Sequence, residues 1–163
     1  MMHMHHLDPV ATDLPCACTA LRKAARAVSR LYDSAVEGAG INIGQLAILR
    51  SLGRTGPQPL TALADAMVMD RTSLYRALGS MEHAGWVTVQ ATGRGRARIA
   101  GLTGHGRNVM DGAAASWDQV QTRFVDAFGT SDWAELSGAL GRMVATASSI
   151  SSTDPWPATD PQP

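Results

Sequence analysis

Apolar residues recur at helical spacing along most of this chain, and the period changes to two only once. In "CACTALRKAARAVSRLYDSAVEGAG", Leu21, Ala24, Val28, Leu31 and Ala35, with Ala25 and Tyr32 beside them, fall on one stripe. This predicts a long helix from about Cys16, stopped by Gly38 and Gly40. "IGQLAILRSLG" predicts a shorter helix closing near Gly53, and the "GPQP" that follows reads as a loop. Thr61 is the expected N-cap of a two-turn helix, "ALADAMV". After a tight "VMD", Asp70 opens another helix that lasts to Gly85. "WVTVQA" then alternates, "TGRGRA" supplies a turn, and "ARIAGL" returns as a second strand. Leu102 and Thr103 are expected to open a long helix with Met110, Ala113, Trp117, Val120, Phe124 and Phe128 on its apolar stripe. A last helix follows Ser131, with Trp133, Leu136, Leu140, Met143 and Val144 inward. Residues 1–15 read as a flexible arm, and the Ser/Pro-rich end of "SSISSTDPWPATDPQP" as a disordered tail over 151–163.

Composition adds little until it is divided along the chain. The 163 residues, 45% of them hydrophobic, are enough for one real core, and the formal net charge is zero. Seven arginines stand against three acids between Arg54 and Arg107, whereas two arginines face seven acids from Asn108 to the end. A basic middle beside an acidic end is the asymmetry expected where one part of a protein meets a polyanion. No stretch reads as a secretion signal or membrane span, so a cytoplasmic protein with reduced cysteines is expected.

The middle of the chain also carries the most telling local pattern. A short helix, a three-residue turn and a longer helix with a polar start are the parts of a helix-turn-helix, and an arginine-bearing hairpin after it makes a winged helix. Asp70 can cap the second helix, and Arg71, Thr72, Ser73, Tyr75 and Arg76 crowd its first two turns. A helix N-terminus suits phosphate, and side chains on its first turns reach base edges when that end enters a major groove. Arg94, Arg96 and Arg98 lie at or near the hairpin tip, where a long cation can enter a narrow minor groove. For any one of these residues, a solvated helix face is the simpler reading. It is the combination that points to duplex DNA.

The stretch "PLTALADAMVMDRTSLYRALGSMEHAGWV…RARIAGLT" resembles the MarR (multiple antibiotic resistance regulator) family of winged-helix transcription factors. The matched pattern is L-T-x-L-A, D-R-T-S-L-x-R-x-L, E-x-x-G-h-V with h apolar, and L-T-x-x-G ending at Gly106. The helix "CACTALRKAARAVSRLYD" and Gln45-Leu46 extend the resemblance, which runs from about Cys16 to Ile150. It implies a mainly α fold of six helices and a β-hairpin wing. Residues 16–53 and 104–150 would supply dimerisation helices around a winged helix-turn-helix at 54–103. It also implies a homodimer whose recognition helices, carrying Arg71, Thr72, Ser73, Tyr75 and Arg76, read a near-palindromic operator. Arg96 would take the place of the wing-tip arginine. Two departures stand out. The family's wing commonly reads D-R-R where this chain has Arg94-Gly95-Arg96, so the acid that orients the wing arginine is missing. The helix-turn-helix turn often carries glycine where this chain has Val68, and a β-branched residue tolerates positive φ poorly. A turn built differently is therefore expected there.

The sequence argues against an enzyme. Glu82 and His83 point about 100° apart on a helix, and no nucleophile set or phosphate-cradling glycine loop appears. His83 and His105 read as surface residues, and Trp117, Phe124 and Phe128 as core or dimer packing. No cofactor is expected, and the Cys and His spacings match no standard zinc pattern. The expected function is a repressor released by a small-molecule inducer, an aromatic anion at a seam between Tyr32 and Trp117. Cys16 and Cys18 leave three readings open: packing residues at a dimer seam, a thiol switch, or a metal site with His3, His5 or His6. A winged helix used only for protein contacts is the reading from another class, and it would not need the arginine wing.

Overall fold

The computed structural model describes residues 15–92 and 97–153. Arg94, Arg96, the histidines at 3, 5 and 6, and the tail from 154 onward lie outside the described residues. Six α-helices dominate the chain: α1 (Ala17–Val36), α2 (Ile43–Thr55), α3 (Leu60–Met67), α4 (Arg71–His83), α5 (Gly104–Phe128) and α6 (Thr130–Thr153). β1 (Gln58–Pro59), β2 (Val87–Ala91) and β3 (Arg98–Leu102) form one antiparallel sheet in the order β1-β3-β2. The chain divides into two compact units between Asp118 and Gln119, within α5.

The first unit closes around Leu46, Ile48, Leu49 and Leu52 of α2, Leu60 and Leu63 of α3, and Leu74, Leu78 and Met81 of α4. Val36 of α1, Ile41 before α2, Ala64 of α3, Val87 of β2, Ala100 of β3 and Ala113 of α5 complete it. Each helix contributes by its own period; Leu74, Leu78 and Met81 recur at four and three residues and so share one side of α4. Helix α2 begins with a capping box, in which the Asn42 side chain accepts from Gln45 N–H and the Gln45 side chain accepts from Asn42 N–H. Asp33 of α1 accepts the Ile43 N–H at 2.7 Å and so ties the start of α2 to α1.

Several boundaries differ from the sequence reading for physical reasons. Helix α3 starts at Leu60 behind Pro59 and has no side-chain cap, because Leu60 must turn inward to be buried. Thr61 therefore sits inside the first turn instead of capping it. The "GPQP" loop contains β1, with Gln58 opposite Ala100 and Pro59 opposite Ile99. A two-residue strand shows no alternation, and proline is tolerated on a sheet edge. Leu102 ends β3, and Thr103 caps α5 by accepting the Gly106 N–H at 2.9 Å. Serines expected in the tail stay helical to Thr153; Ser149 and Ser151 donate back to the carbonyls of Thr146 and Ala147.

Val68 overturns one expectation outright. It ends α3 at φ 51°, ψ 43°, the left-handed conformation that glycine usually supplies. The turn is the usual one, built with the wrong residue. Val68 N–H bonds Asp65 O, and Met69 N–H bonds Ala64 O, which holds the geometry against a cost of about 1–2 kcal/mol. The valine side chain is 68% exposed, so nothing crowds it.

The second unit is the end of α5 followed by α6. Phe124 stacks on Phe128 with centroids 5.8 Å apart and meets Trp133 edge-on at the same distance. Gly129 joins the helices at φ 106°, where a side chain would be strained and would press on the Asp132 carboxylate.

Candidate nucleic-acid interface

The start of α4 is assembled as its sequence suggests. Asp70 stands at the N-cap, accepting the Ser73 N–H at 2.9 Å and the Ser73 hydroxyl at 2.6 Å. The Ser73 hydroxyl, and then its backbone N–H, hold the Asp70 carboxyl below its ordinary range. Ser73 thus spends its proton on the cap and presents only lone pairs outward. Leu74, Leu78 and Met81 fix α4 to the core, which leaves Arg71, Thr72, Ser73, Tyr75 and Arg76 together on the exposed side.

Arg98, on β3, is brought to the same surface. Its guanidinium carbon lies 5.7 Å from the centroid of the Tyr75 ring, a cation–π contact between the wing and α4. A second tie was not apparent from the sequence: Glu82, exposed on α4, accepts the Val89 N–H of β2 at 3.0 Å. It satisfies an edge-strand donor and fixes the wing to the helix. The signal was available in the E-x-x-G-h-V spacing, which places this acid at the foot of the strand. Thr103 and Gly106 make a third join. The Thr103 hydroxyl donates to Gly85 O at 2.7 Å and lies 3.0 Å from Trp86 O, while Gly106 packs so tightly that a Cβ would strike the Trp86 carbonyl.

The proposed ligand residues separate. Trp117 lines an open cleft of about 490 Å³ with Arg50, Gly53, Arg54, Met110, Asp111 and Ala114. The Arg50 guanidinium lies 3.7 Å from the centroid of its ring. Tyr32 does not line this cleft; it is buried, and burial raises its hydroxyl above the usual range. Cys16 and Cys18 are exposed free thiols at the start of α1. The Cys16 thiol lies below its ordinary range, first through the Thr19 backbone N–H and then through the Thr19 hydroxyl. No cluster of three or more metal-ligating side chains occurs among the described residues. His83 and His105 are exposed, as expected.

The MarR family model matches residues 41–92, the stretch that holds α2, α3, α4 and β2. This stretch is similar to the MarR family, and with β3 it makes a helix-turn-helix followed by a β-hairpin. Solved structures extend the likeness beyond the matched stretch. The Mycobacterium tuberculosis transcriptional regulator MosR, in complex with DNA, is 28% identical with a TM-score of 0.77, covering 83% of this chain and 98% of its own. AbsC, a MarR family transcriptional regulator from Streptomyces coelicolor, shares the fold at 22% identity and a TM-score of 0.71, covering 82% of this chain and 93% of its own. NadR in complex with 4-hydroxyphenylacetate does so at 21% and 0.66, covering 83% and 96%. Among curated proteins, none matches the sequence. Helix α4 is the second helix of the helix-turn-helix, and β2–β3 is the hairpin that follows it. No helix among the described residues is long and apolar enough to cross a membrane.

Proposed function

We propose that the protein is a MarR-family transcriptional regulator that binds duplex DNA as a homodimer and represses from a near-palindromic operator. The observation that carries this reading is the Asp70-capped start of α4, with Arg71, Thr72, Tyr75 and Arg76 exposed together. That MosR, 28% identical over most of both chains, was solved in complex with DNA supports it. Arg94 and Arg96, which fall between β2 and β3 in the sequence, are assigned to the DNA contact, with Arg96 as the minor-groove residue. Footprinting on the intergenic DNA beside its own gene tests the reading. One protected near-palindrome is expected, with half-sites about 34–36 Å apart. Absence of protection, with no binding to random duplex at low salt, would refute it.

A small aromatic anion releases the DNA by favouring a dimer in which the recognition helices no longer fit the operator. The Arg50–Trp117 cleft supports this with a cation beside an aromatic face, and Tyr32 has no part in it. Titration with salicylate should quench tryptophan emission and weaken operator binding, and Arg50→Gln should abolish both effects. A second reading rests on the exposed Cys16 thiol with its favoured thiolate. In that case peroxide releases DNA from the wild type and leaves a Cys16→Ser/Cys18→Ser variant bound.

A further inference from the structure

Between the starts of α3 and α4 and the base of the wing lies a notch of about 170 Å³, lined among others by Leu60, Thr61, Arg71, Tyr75 and Arg98. Two arginines from different elements, Arg71 and Arg98, line it, and no carboxylate among the described residues does. Two cations facing one small space repel each other, and an anion between them reverses the sign of that interaction. The floor is rigid: Leu60 and Leu74 are both buried in the core. Helix α3 enters the notch behind Pro59 without a side-chain cap, which leaves its first N–H groups without the usual acceptor. The Arg98 guanidinium carbon lies 5.7 Å from the centroid of the Tyr75 ring, and both residues line the notch.

We propose that this notch holds one backbone phosphate of the bound duplex, with Arg71 and Arg98 as its two cations and the Thr61 hydroxyl as a third donor. The proposal rests on the DNA-binding reading and divides the labour within it. The polar lining is rich in donors, which fits an oxyanion that only accepts. A base edge shows donors and acceptors in alternation and is matched by a mixed set. Arg71 and Arg98 therefore fix the register of the winged helix on the backbone, and Thr72 and Arg76 are left to read bases. Arg98 acts from the base of the wing, independently of the arginines at its tip.

The test uses the full chain and the footprinted duplex, with neutral methylphosphonates placed at one position after another. Wild-type protein should lose about tenfold in affinity at one phosphate per half-site. Arg71→Ala and Arg98→Ala should each lose about tenfold on unmodified DNA, equally on operator and random duplex, and lose nothing more at that phosphate. Melting temperatures should stay at the wild-type value, since both side chains are exposed. Continued sensitivity of both variants at every phosphate would overturn the notch while leaving DNA binding intact. So would a loss confined to the operator, which would make these arginines base readers. If the wild type binds no duplex at all, the DNA reading itself fails and the notch with it.

Discussion

In the unit that ends at Asp118, Leu49, Leu63 and Met81 have no exposed surface, and Leu46, Leu52, Leu74 and Leu78 are at 1%. From Gln119 onward, Val120 is the buried apolar side chain among the described residues, while Phe128, Leu136, Met143, Val144 and Ile150 stand exposed. Leu136, Met143 and Val144 recur at seven and eight residues, the spacing of one helix face. The first unit encloses a packed core while leaving Leu21 and Leu31 of α1 and Val68 exposed; the C-terminal unit presents a stripe with little buried behind it. Soluble chains seldom leave such a stripe bare. The contrast supports the proposed homodimer, with the stripe on α6 as one of its contact faces.

The sharpest way to break the first half of that contrast is Gly106→Ala. A Cβ there would strike the Trp86 carbonyl and come within 2.9 Å of the Leu102 side chain. Backbone cannot give way as a side chain can, so a destabilisation of at least about 3 kcal/mol is expected by urea unfolding. Gly112, on the same helix, has open space around its Cβ position. Gly112→Ala should stabilise by up to about 1 kcal/mol, the helix-propensity difference. Equal behaviour of the two variants would remove the idea that this one close approach holds the wing to α5.

The second half is tested by charge. Leu136→Asp with Val144→Asp should leave the melting of the winged-helix unit unchanged, because neither residue belongs to its core. On the proposed homodimer, light scattering should then find a monomer at micromolar concentration. Affinity for the palindrome should drop roughly a hundredfold as two linked half-sites become independent ones. A variant that remained dimeric would place the subunit contact elsewhere.

Within the first unit, what the sequence disclosed depended on how local each signal was. Helix stripes and the alternating hairpin were legible because each repeats its signal: Leu74, Leu78 and Met81 mark α4 three times over. The Asp70 cap was legible because its chemistry is local. What stayed hidden depends on partners distant in sequence. Glu82 needs Val89 across a turn, β1 needs β3 forty residues away, and Arg50 needs Trp117 from another helix. Tyr32 and Trp117 were grouped on the strength of their helices, and the structure buries one and leaves the other in a cleft.

Val68 sharpens the picture of the reader at a smaller scale. The expectation that valine would reshape the turn weighed steric cost against nothing else. Two backbone hydrogen bonds and an open surface were enough to keep the left-handed geometry. Val68→Gly should therefore stabilise by about 1 kcal/mol, seen as a rise of about 2–4 °C in melting temperature. A drop would mean that the valine side chain makes a favourable contact after all, or that its stiffness in the unfolded chain outweighs the strain.

The smallest expected effect concerns acid. Asp70 titrates below its ordinary value of 3.8 because its charged form accepts the Ser73 hydroxyl and N–H. A carboxylate with a depressed folded-state pKa adds stability that is complete above the unfolded value and disappears as pH falls through the folded one. The cap should thus be indifferent to pH at neutrality and fade only below about pH 4, and, being exposed, it should fade gently. Asn accepts the same N–H without titrating, so Asp70→Asn should match the wild type near pH 7 and lose less on going to pH 3. Asp70→Ala should melt a few degrees lower at neutral pH and share the flatter acid response of Asp70→Asn, since neither side chain titrates. If wild type and Asp70→Asn fall in parallel between pH 7 and 3, the acid sensitivity of this protein belongs to other carboxylates.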